Sequence, residues 1–482
     1  MDAHALDEAL RDHWGLDAAT VTTLHGGMNS RTWLVRAGDT AYVAKRVSAA
    51  DVELLAAGCS VAELLGDAGL TSRTPGAAWN RSPQANPSSG QNLSASPGKV
   101  AVMTENTALI PFRIDIPQAD LDDLHDRLAR TRRPVPVPGR DDRTDFSRGI
   151  PQAYLTELAE YWRDGFDWRA QEAALNAYEQ FTTVVDGQTF HVVHVRSANP
   201  DATPLILNHG WPGSFVEYQR LIPLLTDEFH LVIPSLPGFG FSTPLSGTGW
   251  ELARTTEAYA EIMTRLGYER FAAHGTDIGA GTTGRLAALY PERVIGTHVG
   301  SDGRSLGMVG DKFPYPEGLS DDEIAQIEAV RAKDVAERGY FEMQNHRPDT
   351  IGAALVDSPV GQLAWIAEKF QTWTNPARPT PDESVDRDQL LTNVSLYWFT
   401  RSGASSAQFY WESEHSGLDW LAPSGVPAAW VVFDTHPLMR RALDPWNAVS
   451  HWSEHAEGGH FPAMEEPELL AADIRDFFHS LG

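Results

Sequence analysis

The chain has 482 residues, too many for one domain of the usual size of roughly 100–200 residues, so two to four units with an ample core are expected. Its 38 basic and 65 acidic residues give a net charge of −27, a field that repels phosphate backbones and anionic lipid, so neither nucleic acid nor a membrane is expected as a partner. One cysteine, Cys59, excludes an internal disulfide or a thiolate cluster, and no apolar run approaches the ~20 residues of a membrane span, which together point to the cytoplasm.

In chain order, residues 80–99 are mostly Ser, Pro, Asn, Gln and Gly, too polar to offset the entropy of ordering, and read as a flexible linker. Leu121, Leu124 and Leu128 predict a helix over 119–133, and a second helical stretch spans 154–161. Two β-rich runs, 182–185 and 189–195, flank Asp186-Gly187, a hairpin signal because both residues tolerate positive φ. From Pro204 short apolar runs at 205–207, 230–233, 271–273 and 294–299 each end at a turn, with a helix-compatible stretch over 279–290. This alternation predicts an α/β fold with a mostly parallel sheet, whose ligands sit at the carboxyl ends of the strands. Residues 311–423 turn helical and polar, opening on Ser320 and Glu323 as a capping box. A strand over 428–433 and a closing helix over 465–479 follow, so the helical insert has the place of a lid, although a separate helical domain would read alike.

The sharpest motif is His274-Gly275-Thr276-Asp277-Ile278-Gly279, between a strand and a helix. Small residues two before and two after a central side chain permit the tight turn that exposes a nucleophile. With Asp277 at the centre the nucleophile is a carboxylate, which forms an alkyl ester, so the chemistry becomes epoxide opening or halide displacement. A Gly-flanked Asp can also simply cap the next helix. His209-Gly210-Trp211-Pro212-Gly213-Ser214 follows the strand before it, where the backbone N–H groups of Trp211 and Ile278 would face one oxyanion. Asp434 closes the 428–433 strand, and His460 stands in Gly458-Gly459-His460-Phe461. The order Asp277, Asp434, His460 is nucleophile, acid, base, with Asp444 a weaker rival for the acid.

From about Met103 onward the chain resembles a microsomal-type epoxide hydrolase, an α/β-hydrolase with a helical lid. The resemblance is carried by the run from Ile110-Pro111-Phe112-Arg113 to Pro117, by Tyr161-Trp162, Asp357-Ser358-Pro359-Val360-Gly361, Leu391-Thr392-Asn393, Tyr397-Trp398 and residues 458–467. It implies a meander over 104–200, core segments over 201–310 and 425–482, and a lid over 311–424. It also implies that two lid phenols, Tyr340 and Tyr410, hold the epoxide oxygen as it becomes an alkoxide. Ile278 departs from the family, many members of which carry an aromatic residue after the nucleophile. The implied substrate is a small-molecule epoxide, the implied cofactor is none, and a homodimer is compatible with the sequence. A haloalkane dehalogenase is the nearest rival, since it shares the aspartate nucleophile.

Residues 1–75 resemble the N-lobe of an aminoglycoside-phosphotransferase-type kinase. His25-Gly26-Gly27-Met28-Asn29-Ser30 resembles its phosphate loop, Val43-Ala44-Lys45 its nucleotide lysine, and Glu63 the partner of Lys45. No His-x-Asp-x-x-x-x-Asn loop or second lobe follows, so kinase activity is not expected. The stretch 76–103 then reads as the linker, and residues 103–482 as the complete hydrolase.

Overall fold

The computed structural model describes residues 20–24, 32–37, 40–45, 108–135, 137–140, 142–417 and 424–482. The chain divides into two compact units, Met1–Ala101 and Val102–Gly482. In the first, strands β1 (Thr20–Leu24), β2 (Thr32–Ala37) and β3 (Thr40–Lys45) form an antiparallel sheet in that order, with Lys45 at the end of β3. The expected phosphate loop at 25–30, Glu63 and the expected linker over 76–103 lie outside the described residues.

The second unit is built on a nine-stranded sheet. Its strands are β4 (Ile110–Phe112), β5 (Glu179–Val185), β6 (Gln188–Val195), β7 (Thr203–Asn208), β8 (Phe229–Pro234), β9 (Phe271–Gly275), β10 (Val294–Asp302), β11 (Ala428–Phe433) and β12 (His451–Glu454), in the order β12-β11-β10-β9-β7-β8-β6-β5-β4. From β12 to β8 all neighbours are parallel, whereas β6, β5 and β4 pair antiparallel. β8 and β9 are buried at every residue because helices cover both faces, which is why they read as unbroken apolar runs. The hairpin between β5 and β6 turns at Asp186 and Gly187, with φ of 49° and 76°, as the Asp-Gly pair predicts. This is the α/β-hydrolase arrangement.

Two elements differ from expectation. β10 runs three residues beyond Val299, through Asp302. The closing helix is two, Pro462–Glu465 and Pro467–Ser480, because Pro467 removes the amide that would have continued the first.

Between β10 and β11 stand the helices Asp321–Glu337, Gly339–His346, Pro348–Leu355, Pro359–Thr372, Arg387–Thr400 and Ser402–His415. The capping box is present, with Ser320 and Glu323 each bonded to the other's backbone. These helices share one apolar core with the sheet: Leu363, Phe370, Tyr397 and Phe409 belong to the same buried cluster as Ile206, Phe271 and Ile278. The helix Gln152–Asp164 ties down the roof, since Tyr154 donates to Asp382 at 3.0 Å, Tyr161 to Asp388 at 2.8 Å and the Trp162 indole to Ser395 at 2.8 Å.

Candidate active site

β9 delivers its chain to the carboxyl edge of the sheet, and the helix Ile278–Leu289 starts after only two intervening residues. The turn between them puts Asp277 in the left-handed region, with φ 52° and ψ −126°. A non-glycine residue held there costs of order 1–3 kcal/mol and persists only where its surroundings over-determine it. Here they do: a Cβ on Gly279 would overlap the carbonyl of Asn208, and a Cβ on Gly210 would overlap the Asp277 carboxylate. Glycines before and after the aspartate therefore let helix, strand and loop close on one side chain.

Asp277 Oδ1 accepts the backbone N–H of Trp211 at 3.0 Å, and the neighbouring Ile278 N–H adds to the stabilisation of the charged carboxylate. His460 Nε2 lies 3.3 Å from Asp277 Oδ2, in ion-pair range but out of alignment for a hydrogen bond. Burial pushes the Asp277 carboxyl up, but His460 and the two N–H groups outweigh it and hold the group below its usual range. The His460 loop is pinned at its backbone: its own N–H donates to Trp373 O at 2.8 Å, and Phe461 N–H donates to Glu465 Oε1 at 3.0 Å. Burial alone would lower the imidazole pKa, yet Asp277 and Asp302 outweigh it and push the value up to about 9.

The structure puts a different carboxylate beside the histidine from the one expected. His460 Nδ1 donates to Asp302 Oδ2 at 2.7 Å, not to Asp434. Asp434 sits one strand further out with φ 46° and makes no hydrogen bond or ion pair among the described residues. Its carboxyl is pushed up by partial burial and by the charge of Asp302. Asp444, the rival, accepts the N–H of Ala448 at 2.7 Å and of Val449 at 3.3 Å, and so caps a turn. Sequence reasoning missed Asp302 because the apolar run was ended at Val299; the Asp-Gly pair three residues on was its only mark.

The lid brings both expected tyrosines over the nucleophile. Tyr340 lies flat on the Trp211 indole, with centroids 4.9 Å apart and planes 3° from parallel, while Tyr410 meets the same indole edge-on at 5.9 Å. The two phenols stand 6.3 Å apart, centroid to centroid. Burial first, then the Asp277 charge, pushes both phenols above their ordinary range, so they stay protonated. Trp373, also missed, fills the remaining wall at 5.0 Å from both Tyr340 and His460. The loop that carries Trp211 is held from above: Asn393 donates to Pro212 O at 2.7 Å and Tyr397 to Gly213 O at 2.8 Å. Among the described residues no three His, Cys, Asp or Glu side chains converge as a metal site, and no helix is long and apolar enough to cross a membrane.

A carboxylate at an elbow, a histidine on a buried acid, and a pair of protonated phenols packed on the adjoining Trp211 can open a strained ring and hydrolyse the resulting ester. Comparison with known proteins agrees. Residues 109–218 match the family model for the epoxide hydrolase N terminus, and 203–297 that for the alpha/beta hydrolase fold. Epoxide hydrolase 1 of Sus scrofa is 35% identical over 422 residues, covering 79% of this chain and 91% of its own length. The chain belongs to the epoxide hydrolase family. A relative in this family from Stigmatella aurantiaca is 42% identical over 387 residues, covering 77% of this chain and 85% of its own. The crystal structure of juvenile hormone epoxide hydrolase from Bombyx mori superposes with a TM-score of 0.68 at 29% identity, covering 79% of this chain and 96% of that one.

Proposed function

We propose that this epoxide hydrolase converts a small-molecule epoxide and water to a vicinal diol through a covalent ester on Asp277. The supporting observation is the convergence on one carboxylate: Trp211 N–H on one oxygen, His460 beside the other, and Tyr340 and Tyr410 packed on Trp211 above it. The carboxylate attacks a ring carbon, the ring C–O bond breaks, and its electron pair stays on the oxygen, which takes a proton from a tyrosine. Because a phenol is more acidic than the alcohol being formed, it gives its proton to the developing alkoxide and lowers the barrier.

In the free enzyme His460 holds a proton that the Asp277 charge favours. Alkylation neutralises that carboxylate, His460 passes its proton to the tyrosinate left by ring opening, and Nε2 can then deprotonate a water that attacks the ester carbonyl. The N–H groups of Trp211 and Ile278 take the oxyanion, the bond to the alkyl oxygen breaks, and the diol leaves with its proton restored. The aspartate regains its charge carrying one oxygen from water. The tyrosine pair favours epoxide over haloalkane, since halide needs donors and not acids. We further place the enzyme in the cytoplasm, on its single cysteine and acidic balance. A single turnover in labelled water tests the mechanism: the label belongs in Asp277 and is absent from the first diol. Label in that diol would mean direct attack by water.

A further inference from the structure

We propose that the acid positioning His460 is Asp302, locked by Arg304, and that Asp434 has no part in the task. This rests on the reading of Asp277 as nucleophile and His460 as base. β10 and β11 are parallel neighbours with Asp302 opposite Phe433, so Asp302 and Asp434 emerge side by side at the carboxyl edge of the sheet. His460 Nδ1 addresses one of them.

Asp302 is built to be that one. Its Oδ1 accepts the backbone N–H of Arg304 at 2.8 Å and Arg304 Nε at 3.2 Å; its Oδ2 accepts Arg304 Nη2 at 3.0 Å and His460 Nδ1 at 2.7 Å. A forked guanidinium and a backbone amide thus fix the carboxylate before the imidazole meets it, the condition for a group that must orient another. The intervening Gly303 is part of the device, because a Cβ there would overlap the carbonyl of Asp434 and push the two strand ends apart. Asp434 itself is held by nothing comparable.

Arg304 does more than lock. Its Nη2 lies 2.9 Å from His460 Nδ1, and both are donors aimed at Asp302 Oδ2, so a fixed positive charge stands beside the imidazole. That charge opposes protonation of the base, while Asp302 favours it. The other groups facing His460 are Asp277 from the elbow, Glu217 from the turn after β7, and Glu465 from the helix after the histidine. None of them bonds Nδ1.

The test follows ester formation and ester hydrolysis separately, by quenched flow and mass spectrometry, in full-length variants given styrene oxide across a pH series. Asp302→Asn should slow ester hydrolysis on the order of 10²–10⁴-fold, in the manner of losing a histidine-orienting acid, and move its acid limb to lower pH. Arg304→Gln should move that limb to higher pH, and Asp302→Glu should recover part of the lost rate. Asp434→Asn should leave rate and limb near wild type. Loss of hydrolysis on Asp434→Asn with Asp302→Asn near wild type overturns the proposal, as does a limb unmoved in both Asp302→Asn and Arg304→Gln. If Asp302→Asn fails to fold, the Arg304→Gln limb and the Asp434→Asn rate decide. His460→Gln is the control: no trapped ester on Asp277 in that variant would count against the covalent reading and not against Asp302.

Discussion

The floor of the site is set by main chain and the roof by ring packing. On the floor, Asp277 stands on a left-handed turn between buried β9 and a helix, met by backbone N–H groups, and His460 is tethered through its own N–H to Trp373 O. On the roof, Tyr340 and Tyr410 keep their places by lying against Trp211, Trp373 and each other. Backbone geometry tolerates almost no substitution, whereas ring packing is spread over several neighbours and fails by degrees. The floor should therefore break all at once and the roof in steps.

The largest effect belongs to the floor. Asp277→Ala should abolish turnover, by on the order of 10⁵–10⁶-fold if the groups act as a unit, with melting unchanged within a few degrees; steady-state diol assays and calorimetry check both. Next come the phenols. Tyr340→Phe and Tyr410→Phe should each slow ester formation on the order of 10²–10³-fold, as loss of one oxyanion donor does, and the double variant should be nearly inactive yet folded. Two single variants that form ester at the wild-type rate would remove the tyrosines from the chemistry.

A third prediction concerns acid stability, and the groups involved lie under the floor. His191 and His209 are fully buried and neutral, with pKa values pushed down by burial to about 3 and about 4. Unfolded histidine takes its proton near 6.5, so the stability they contribute is complete above that pH and is lost as pH falls from there towards the folded values, on the order of 3–5 kcal/mol each. Glu217 and Glu465, pushed up by burial to about 7, act in the opposite sense as pH falls from 7 to about 4.5. His194, pushed down to about 4, and the buried His274 and His298, also pushed down by burial, act with the first two, so the histidines outnumber the glutamates and melting temperature should fall steadily from pH 6.5 to 4.5. A melting temperature that holds or rises over that range would contradict this balance.

The smallest effect tests the clip between roof and meander. Tyr161→Phe removes a partly exposed hydrogen bond to Asp388 and should cost about 1 kcal/mol, read as a melting shift of a few degrees with turnover almost unchanged.

How much of this could be read in advance follows the same division. Gly275, Asp277 and Gly279 carry the elbow in their own identities, because only glycine fits where helix and strand nearly touch. The hairpin at Asp186-Gly187 and the capping box at Ser320 were legible for the same reason: local backbone needs specific residues. The lid tyrosines came from family resemblance, since nothing local tells a packed aromatic from an acid. Asp302 was hidden because its role depends on a fork closed by Arg304 and on a histidine 158 positions away, contacts that no window on the sequence spans. Asp434 stands just past the end of its strand, and the strand next to it ends in an aspartate too.

The stacking of Tyr340 on Trp211 has a further consequence. In the proposed mechanism Trp211 offers its amide to the oxygen that becomes charged during hydrolysis, and its indole is the shelf on which the ring-opening acid rests. One residue thus serves both halves of the catalytic cycle, the second through its main chain and the first through its side chain. Trimming the indole would leave the amide intact, yet should disturb the alkylation half-reaction, in which that amide plays the lesser part. Any evolutionary drift that enlarges the pocket at Trp211 must therefore carry Tyr340 with it, so substrate breadth and acid placement are inherited together.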